Sequence, residues 1–262
     1  MKTKSIFLAF ATLLALLATS CSKKTYYQVY QTKAVDTAVC SQVGNYLVHE
    51  ESDCVVRYNF YAEEGDAGFW LTNKTDSIIY VDLGETFFVL NGNASDYFQA
   101  RQWTTTRSST VSSSKRETKG RGNRASSESA SQTSTKASTF SERRVIAVPP
   151  QSTRYFSEFH INGSKTELCG GKDSPRKGRA EGTSFTIDNS PYCFGNFISY
   201  TVGCKGKKRN ITDNFFISEI INVNAASMYE TVRSKDACGR EGDRIERLRF
   251  NTPDRFYLIY KK

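Results

Sequence analysis

Thr72–Gly92 reads TNKTDSIIYVDLGETFFVLNG, and the way this stretch is punctuated decides the fold class. Asn73-Lys74-Thr75-Asp76 has turn chemistry, and Ile78–Leu83 is a short run rich in β-branched and aromatic side chains. Gly84-Glu85 breaks the chain, Thr86–Leu90 forms a second such run, and Asn91-Gly92 stops it. Both runs are too short for stable helices and have the length of strands. The same grammar continues outward. Cys54, Val56, Tyr58 and Phe60 alternate with Val55, Arg57, Asn59 and Tyr61, the period-two signature of a strand with one buried face. Phe69–Leu71, Val145–Val148, Phe197–Val202, Phe215–Val223 and Phe256–Tyr260 are further strand candidates. Arg154–Ile161 alternates as well, with Tyr155, Phe159 and Ile161 predicted on one face. Ala225–Ser234 is the one predicted short helix, because Met228, Tyr229 and Val232 recur at helical spacing. Short strands separated by regular turns predict an all-β, antiparallel β-sandwich.

The composition agrees with a folded body. Apolar residues make up 38% of the 262, aromatics 13% and charges 24%, which excludes a wholly disordered chain. Only two histidines are present, so little material exists for histidine-based catalysis or metal binding.

One segment departs from the rest. From Thr104 to Glu142, Ser and Thr fill 20 of 39 positions, and the only apolar side chains are Val111, Ala125, Ala130, Ala137 and Phe140. Such a stretch buries too little surface to offset its chain entropy and is predicted to be a disordered insert. It holds seven Lys/Arg against three Glu, so it carries +4 of the formal +9 of the whole chain. The basic balance therefore belongs largely to the insert rather than to a sculpted face. Phe140 is its one aromatic, which argues against nucleic-acid recognition by stacking.

The N-terminus reads MKTKSIFLAFATLLALLATSC. Lys2 and Lys4 precede an apolar run, Ile6–Leu17, and the small residues Ala18, Thr19 and Ser20 lead to Cys21. This is the layout of a secretory signal and is too short to span a bilayer. Leu16–Cys21 resembles the lipobox of bacterial lipoproteins, although that family usually has Leu where this chain has Ala18. The resemblance implies cleavage before Cys21 and lipid attachment to its sulfur, hence a membrane partner. Ala18 and Ser20 also suit an ordinary cleavage at the same bond, which would release a soluble secreted protein. Lipidation of Cys21 leaves an even set, Cys40, Cys54, Cys169, Cys193, Cys204 and Cys238. In an oxidising compartment that parity predicts disulfides, with Cys40–Cys54 and Cys193–Cys204 as candidate pairs. The first acid after Cys21 is Asp36; outward-exported lipoproteins of the Bacteroidota often carry acids directly after the cysteine, so the resemblance implies an outer-membrane anchor facing the periplasm.

The stretches TNKTDSIIYVDLGETFFVLNG and VIAVPPQSTRYFSEFHI (Val145–Ile161) resemble strand pairs of immunoglobulin-like bacterial lipoprotein domains, and the whole chain is similar to lipoproteins of the Bacteroidota with a Ser-rich insert between two β-rich halves. The resemblance implies a sandwich but no activity. The chain is accordingly divided into a leader (1–20), a lipid-anchored tether (21–33), a first β-rich half (34–103), the insert (104–142) and a second β-rich half (143–262).

No catalytic or metal motif is recognisable, and neither a catalytic residue nor a cofactor is expected. His49 beside Glu50 and Glu51 reads as a surface histidine, and Glu50-Glu51 and Glu63-Glu64 read as solvated turn acids. The aromatics Tyr26, Tyr27, Tyr30, Trp70, Phe98, Trp103, Tyr192 and Phe194 are candidates for stacking on a glycan or a partner protein, with Trp103, abutting the insert, as the first choice. The expected function is a non-enzymatic envelope lipoprotein that binds or scaffolds an envelope protein or glycan. Two alternatives stand beside it: a glycan-acting enzyme using paired carboxylates, and a polyanion-binding adaptor working through residues 104–142. The sequence leaves oligomeric state open.

Overall fold

The computed structural model describes residues 23–114, 129–169 and 173–262. The residues read as a leader and Cys21 lie outside the described residues, as does the centre of the insert. The chain folds into antiparallel sheets arranged in a sandwich-like, all-β body. β1 (Thr25–Ala34) lies in a nine-stranded sheet. β2 (Cys40–Val43), β3 (Tyr46–Glu50), β4 (Cys54–Tyr58) and β5 (Phe69–Asn73) meander through a five-stranded sheet. β6 (Ile79–Asp82), β7 (Phe87–Leu90) and β8 (Asn93–Asp96) return to the first sheet. β9 (Gln102–Ser114) and β10 (Ser129–Ser141) pair with each other as a separate ribbon. β11 (Val145–Val148) rejoins the nine-stranded sheet, and β12 (Thr153–Phe156) the five-stranded one. β13 (Ala180–Ser184), β14 (Cys193–Val202) and β15 (Lys208–Asn224) extend the larger sheet. A single helical turn, α1 (Ala225–Met228), leads to the hairpin of β16 (Tyr229–Lys235) and β17 (Glu241–Leu248), and β18 (Arg255–Lys261) closes the larger sheet against β1.

The alternation read in the sequence is what joins the two sheets. Cys54, Val56 and Tyr58 on β4 and Phe69 and Leu71 on β5 are fully buried, and they share one apolar cluster with Ile79, Ile198, Ile211 and Phe215 of the larger sheet. Phe60 packs edge-on against Phe215 at 4.9 Å and Phe194 at 5.3 Å between ring centroids, geometry that aromatic quadrupoles favour. β14 approaches β15 so closely at Gly195 that a Cβ there would stand 2.2 Å from the Asp213 carbonyl oxygen, so only glycine fits.

Several expectations are corrected. Residues 225–234 are helical only over Ala225–Met228; the Asn224 side chain caps that turn by accepting from the Ala226 N–H at 3.0 Å. Tyr229, Thr231 and Val232 then enter β16, where Val232 lies opposite Ile245. Aromatic and β-branched residues prefer a pleated strand, and this pairing outweighs the local helical spacing. Over Arg154–Ile161 the strand ends at Phe156, which is buried, while Tyr155 faces outward. The flanks of the insert, expected to be disordered, pair over thirteen positions, because β-branched threonines suit a ladder and backbone bonding does not require apolar side chains.

The disulfide expectation is also corrected: Cys40, Cys54, Cys169, Cys193, Cys204 and Cys238 are all free thiols. Cys40 and Cys54 lie on β2 and β4 with β3 between them, and two interstrand spacings, roughly 9–10 Å, exceed the reach of an S–S bridge. Cys193 opens β14 and Cys204 lies just beyond its far end, so ten-residue β14 holds them apart rather than folding them into one hairpin.

Candidate functional site

The ribbon is fastened to the body through a clamp of charges. Beyond β8, Tyr97 is buried and its hydroxyl donates to Asn196 Oδ1 at 2.8 Å, which anchors the chain before it leaves the body. Ala100 then adopts a left-handed conformation (φ 54°) and aims Arg101 at two carboxylates. The Glu142 carboxylate accepts from the Gln99 N–H at 2.9 Å, the Arg101 N–H at 3.1 Å and the Arg101 guanidinium at 3.3 Å, while Glu158 takes a second guanidinium hydrogen bond. The Glu158 hydrogen bond, followed by the charges of both acids, raises the Arg101 pKa further above its ordinary value. Arg101 is thus ion-paired with two carboxylates at once.

The fixed guanidinium lies 6.0 Å from the centroid of the Trp103 ring. Trp103 stands directly opposite Phe140 in the ribbon register. They are 51% and 62% exposed, so both rings present apolar faces to water. Trp103, the first choice from sequence, thus occupies an accessible aromatic pair beside an immobilised cation. Such an arrangement can stack on a sugar ring or on an apolar or aromatic side chain of a partner.

A second aromatic group decorates the outer face of the five-stranded sheet. Tyr155 stacks on Trp70 at 4.3 Å, and Tyr46 meets Trp70 nearly edge-on at 5.5 Å. Arg57, opposite Trp70 in the register, donates to Thr72 Oγ1 at 2.6 Å. The Tyr155 hydroxyl donates to Asp66, and burial followed by this bond raises its pKa. Trp70 is largely spent on its two neighbours, whereas Tyr155 remains 39% exposed. The other aromatic candidates serve packing: Tyr26, Tyr27, Tyr30 and Phe194 are buried, and Phe98 and Tyr192 rest against the core.

His49 is not at the surface. It alternates inward with Leu47 on β3 and is buried, and its Nδ1–H donates to Asp213 Oδ1 at 2.6 Å. The Tyr58 hydroxyl donates to the other Asp213 oxygen at 2.6 Å, and Glu51 lies 3.2 Å from His49 Nε2. Asp213 sits on β15 and its two donors on β3 and β4, so one buried carboxylate links the sheets. Cys40 stands opposite His49, but burial, and secondarily the Asp213 charge, pushes its thiol up to about 12. A thiol held in its neutral form is a poor nucleophile, and the cluster acts as a structural tie. The pattern Ile211, Asp213, Phe215, Ile217 carried the signal: an acid at an inward position of a strand demands an interior partner.

The expected turn acids are engaged separately. Glu50 pairs with Lys74 at 2.7 Å, Glu51 lies against His49, and Glu64 adopts a left-handed conformation (φ 65°) with its carbonyl accepting from Ile161 and Asn162. An open groove of about 290 Å³, lined by Val35, Val89, Ile187, Cys193, Phe194 and Phe215, lies at one end of the body. Among the described residues, no cluster of three His, Cys, Asp or Glu is placed to hold a metal, and no helix is long and apolar enough to cross a membrane.

No protein-family model, curated protein or solved structure matches the chain.

Proposed function

We propose that this chain is a cell-envelope lipoprotein, tethered through Cys21, whose sandwich-like body binds an envelope protein or glycan without catalysing a reaction on it. The observation that supports binding is the Trp103–Phe140 pair, more than half exposed and held beside the clamped Arg101. Burying two such rings is worth about 1.5–3 kcal/mol each, a contribution left unused while they face water. The tether reading rests on the lipobox-like Leu16–Cys21 stretch, and several acyl chains anchor stably where one binds only marginally.

Two measurements test the reading. Radiolabelled palmitate fed to expressing cells is expected to enter the wild-type chain, and Cys21→Ala is expected to abolish labelling; equal labelling of both removes the anchor. Crosslinking in intact envelopes is expected to give a discrete adduct that Trp103→Ala/Phe140→Ala reduces about tenfold or more, since losing roughly 1.4 kcal/mol already corresponds to tenfold. The double variant should retain the melting temperature of the parent, because both rings lie outside the core. Undiminished crosslinking by that variant rejects the aromatic pair as the contact.

A further inference from the structure

Outside the insert the cations are unevenly placed, and they gather where the chain enters the larger sheet. Lys24 and Lys262 lie side by side, each backbone N–H donating to the other's carbonyl, at 3.0 and 3.1 Å. Lys261 stands opposite Thr25, and Tyr26 stands opposite Asn224, so the ends of β18, β1 and β15 lie together there. The segment 173–179 is fixed to that end at two points. The Tyr260 hydroxyl donates to the Asp173 carbonyl at 2.6 Å, and the Gly178 N–H donates to Ser227 Oγ of α1 at 2.9 Å. Within this segment the Arg179 N–H bonds the Arg176 carbonyl at 3.0 Å, closing a turn that Gly178 permits with its φ of 78°.

That turn leaves Arg176, Lys177 and Arg179 exposed, and Lys23, Lys24 and Lys261 are exposed at the same end. The acids there are engaged. Asp173 pairs with Lys165 at 2.9 Å and Lys262 at 3.2 Å, Glu167 pairs with Lys165 at 3.1 Å, and Glu181 stands opposite Asn222 in the register. Among the described residues, none of the six exposed cations has an acid within ion-pair distance. Elsewhere on the body cations are matched: Lys208 with Glu85, Arg209 with Asp53, Lys74 with Glu50 and Arg144 with Asp82. Lys205 and Lys207 are exposed too, but they lie beyond the far end of β1, whose ten residues span roughly 33 Å from Thr25.

We infer that this end of the larger sheet docks on the anionic phospholipid headgroups of the membrane. The choice of occupant rests on the tether reading. Cys21 precedes Thr25 by four residues, a span of at most about 14 Å. An acyl anchor on Cys21 therefore brings these cations to within one or two Debye lengths, each about 8–10 Å, of the bilayer. Unpaired Lys and Arg complement the phosphates in charge, and a surface of headgroups receives them without a shaped pocket. Acyl chains alone leave the body free to turn about its tether, whereas cations at the root of the tether fix which end faces the lipid.

The test is co-sedimentation with vesicles, using the chain produced from Ser22, which lacks the acyl site and keeps every member of both apolar clusters of the body. It is expected to bind vesicles of phosphatidylglycerol mixed with phosphatidylcholine, to ignore phosphatidylcholine alone, and to bind less as salt rises from about 0.05 to 0.15 M. Arg176→Glu/Lys177→Glu/Arg179→Glu is expected to weaken binding about a hundredfold with an unchanged melting temperature. Arg107→Glu/Lys136→Glu, on the ribbon, should leave it within about twofold. Equal binding to neutral vesicles, undiminished binding by the triple variant, or loss with the ribbon variant alone overturns the inference. Palmitate labelling reads the anchor separately. Labelling without vesicle binding rejects the patch and keeps the tether; vesicle binding without labelling keeps the patch as a peripheral membrane contact and rejects the tether.

Discussion

Asp213→Ala is expected to cost the fold about 3–5 kcal/mol, the penalty for breaking a buried ionic hydrogen-bond set by removing one partner. The carboxylate receives hydrogen bonds of 2.6 Å from both His49 and Tyr58, and all three residues are buried. Alanine strands a ring N–H and a hydroxyl between the two sheets. At about 2–4 °C per kcal/mol for a chain of this size, the melting temperature should fall by roughly 10 °C. Tyr58→Phe removes one donor and leaves Asp213 with the other, and should cost only about 1–3 kcal/mol. Urea denaturation of the three proteins gives the comparison. A variant within 1 kcal/mol of wild type would show that Asp213 is not the tie between the sheets.

Phe215→Ala is the second large effect, at about 3–5 kcal/mol. The ring is 1% exposed and touches Tyr58, Phe60 and Phe194 at centroid distances of 5.3, 4.9 and 5.6 Å. Its removal opens a cavity that three other rings cannot fill without leaving their edge-to-face or stacked positions. Phe215→Leu, which keeps most of the volume, should lose under half as much. Asp213 and Phe215 both bear on Tyr58, so the double alanine variant should depart from additivity by more than 0.5 kcal/mol. Simple addition in a denaturant series would mean that the two sites relax independently, contrary to the shared contact.

How far the sequence carries can be judged from particular strands. Ile79–Asp82 and Phe87–Leu90 lie where the reading of Thr72–Gly92 placed them, because short apolar runs between strong turn formers have one low-energy outcome. The inward set Cys54, Val56, Tyr58 was visible for a similar reason: period two admits only two choices of face. Phe215–Val223 was visible as a strand but not in its facing. An extra residue at Ser218, opposite the step from Gln31 to Thr32, forms a bulge, so Phe215 and Ile217 point inward before it and Ile220 and Asn222 after it. Ala225–Ser234 was legible as a helix only at its start, Ala225–Met228, because the partner that draws the rest into a strand, β17, arrives later in the chain. Trp103 could be singled out by its position beside a polar insert, but its place opposite Phe140, thirty-seven residues away in sequence, is set by the register of the ribbon.

The order of turns and apolar runs was enough to determine strand composition and antiparallel pairing, since these follow from backbone geometry and side-chain shape within a few neighbouring residues. Which cysteines lie within bonding reach, which acid is buried, and which aromatics face water were decided only in the tertiary structure. Those properties depend on distances between strands remote in sequence, and the free energy of a thiol, a carboxylate or a ring is set by the atoms that surround it rather than by those that precede and follow it.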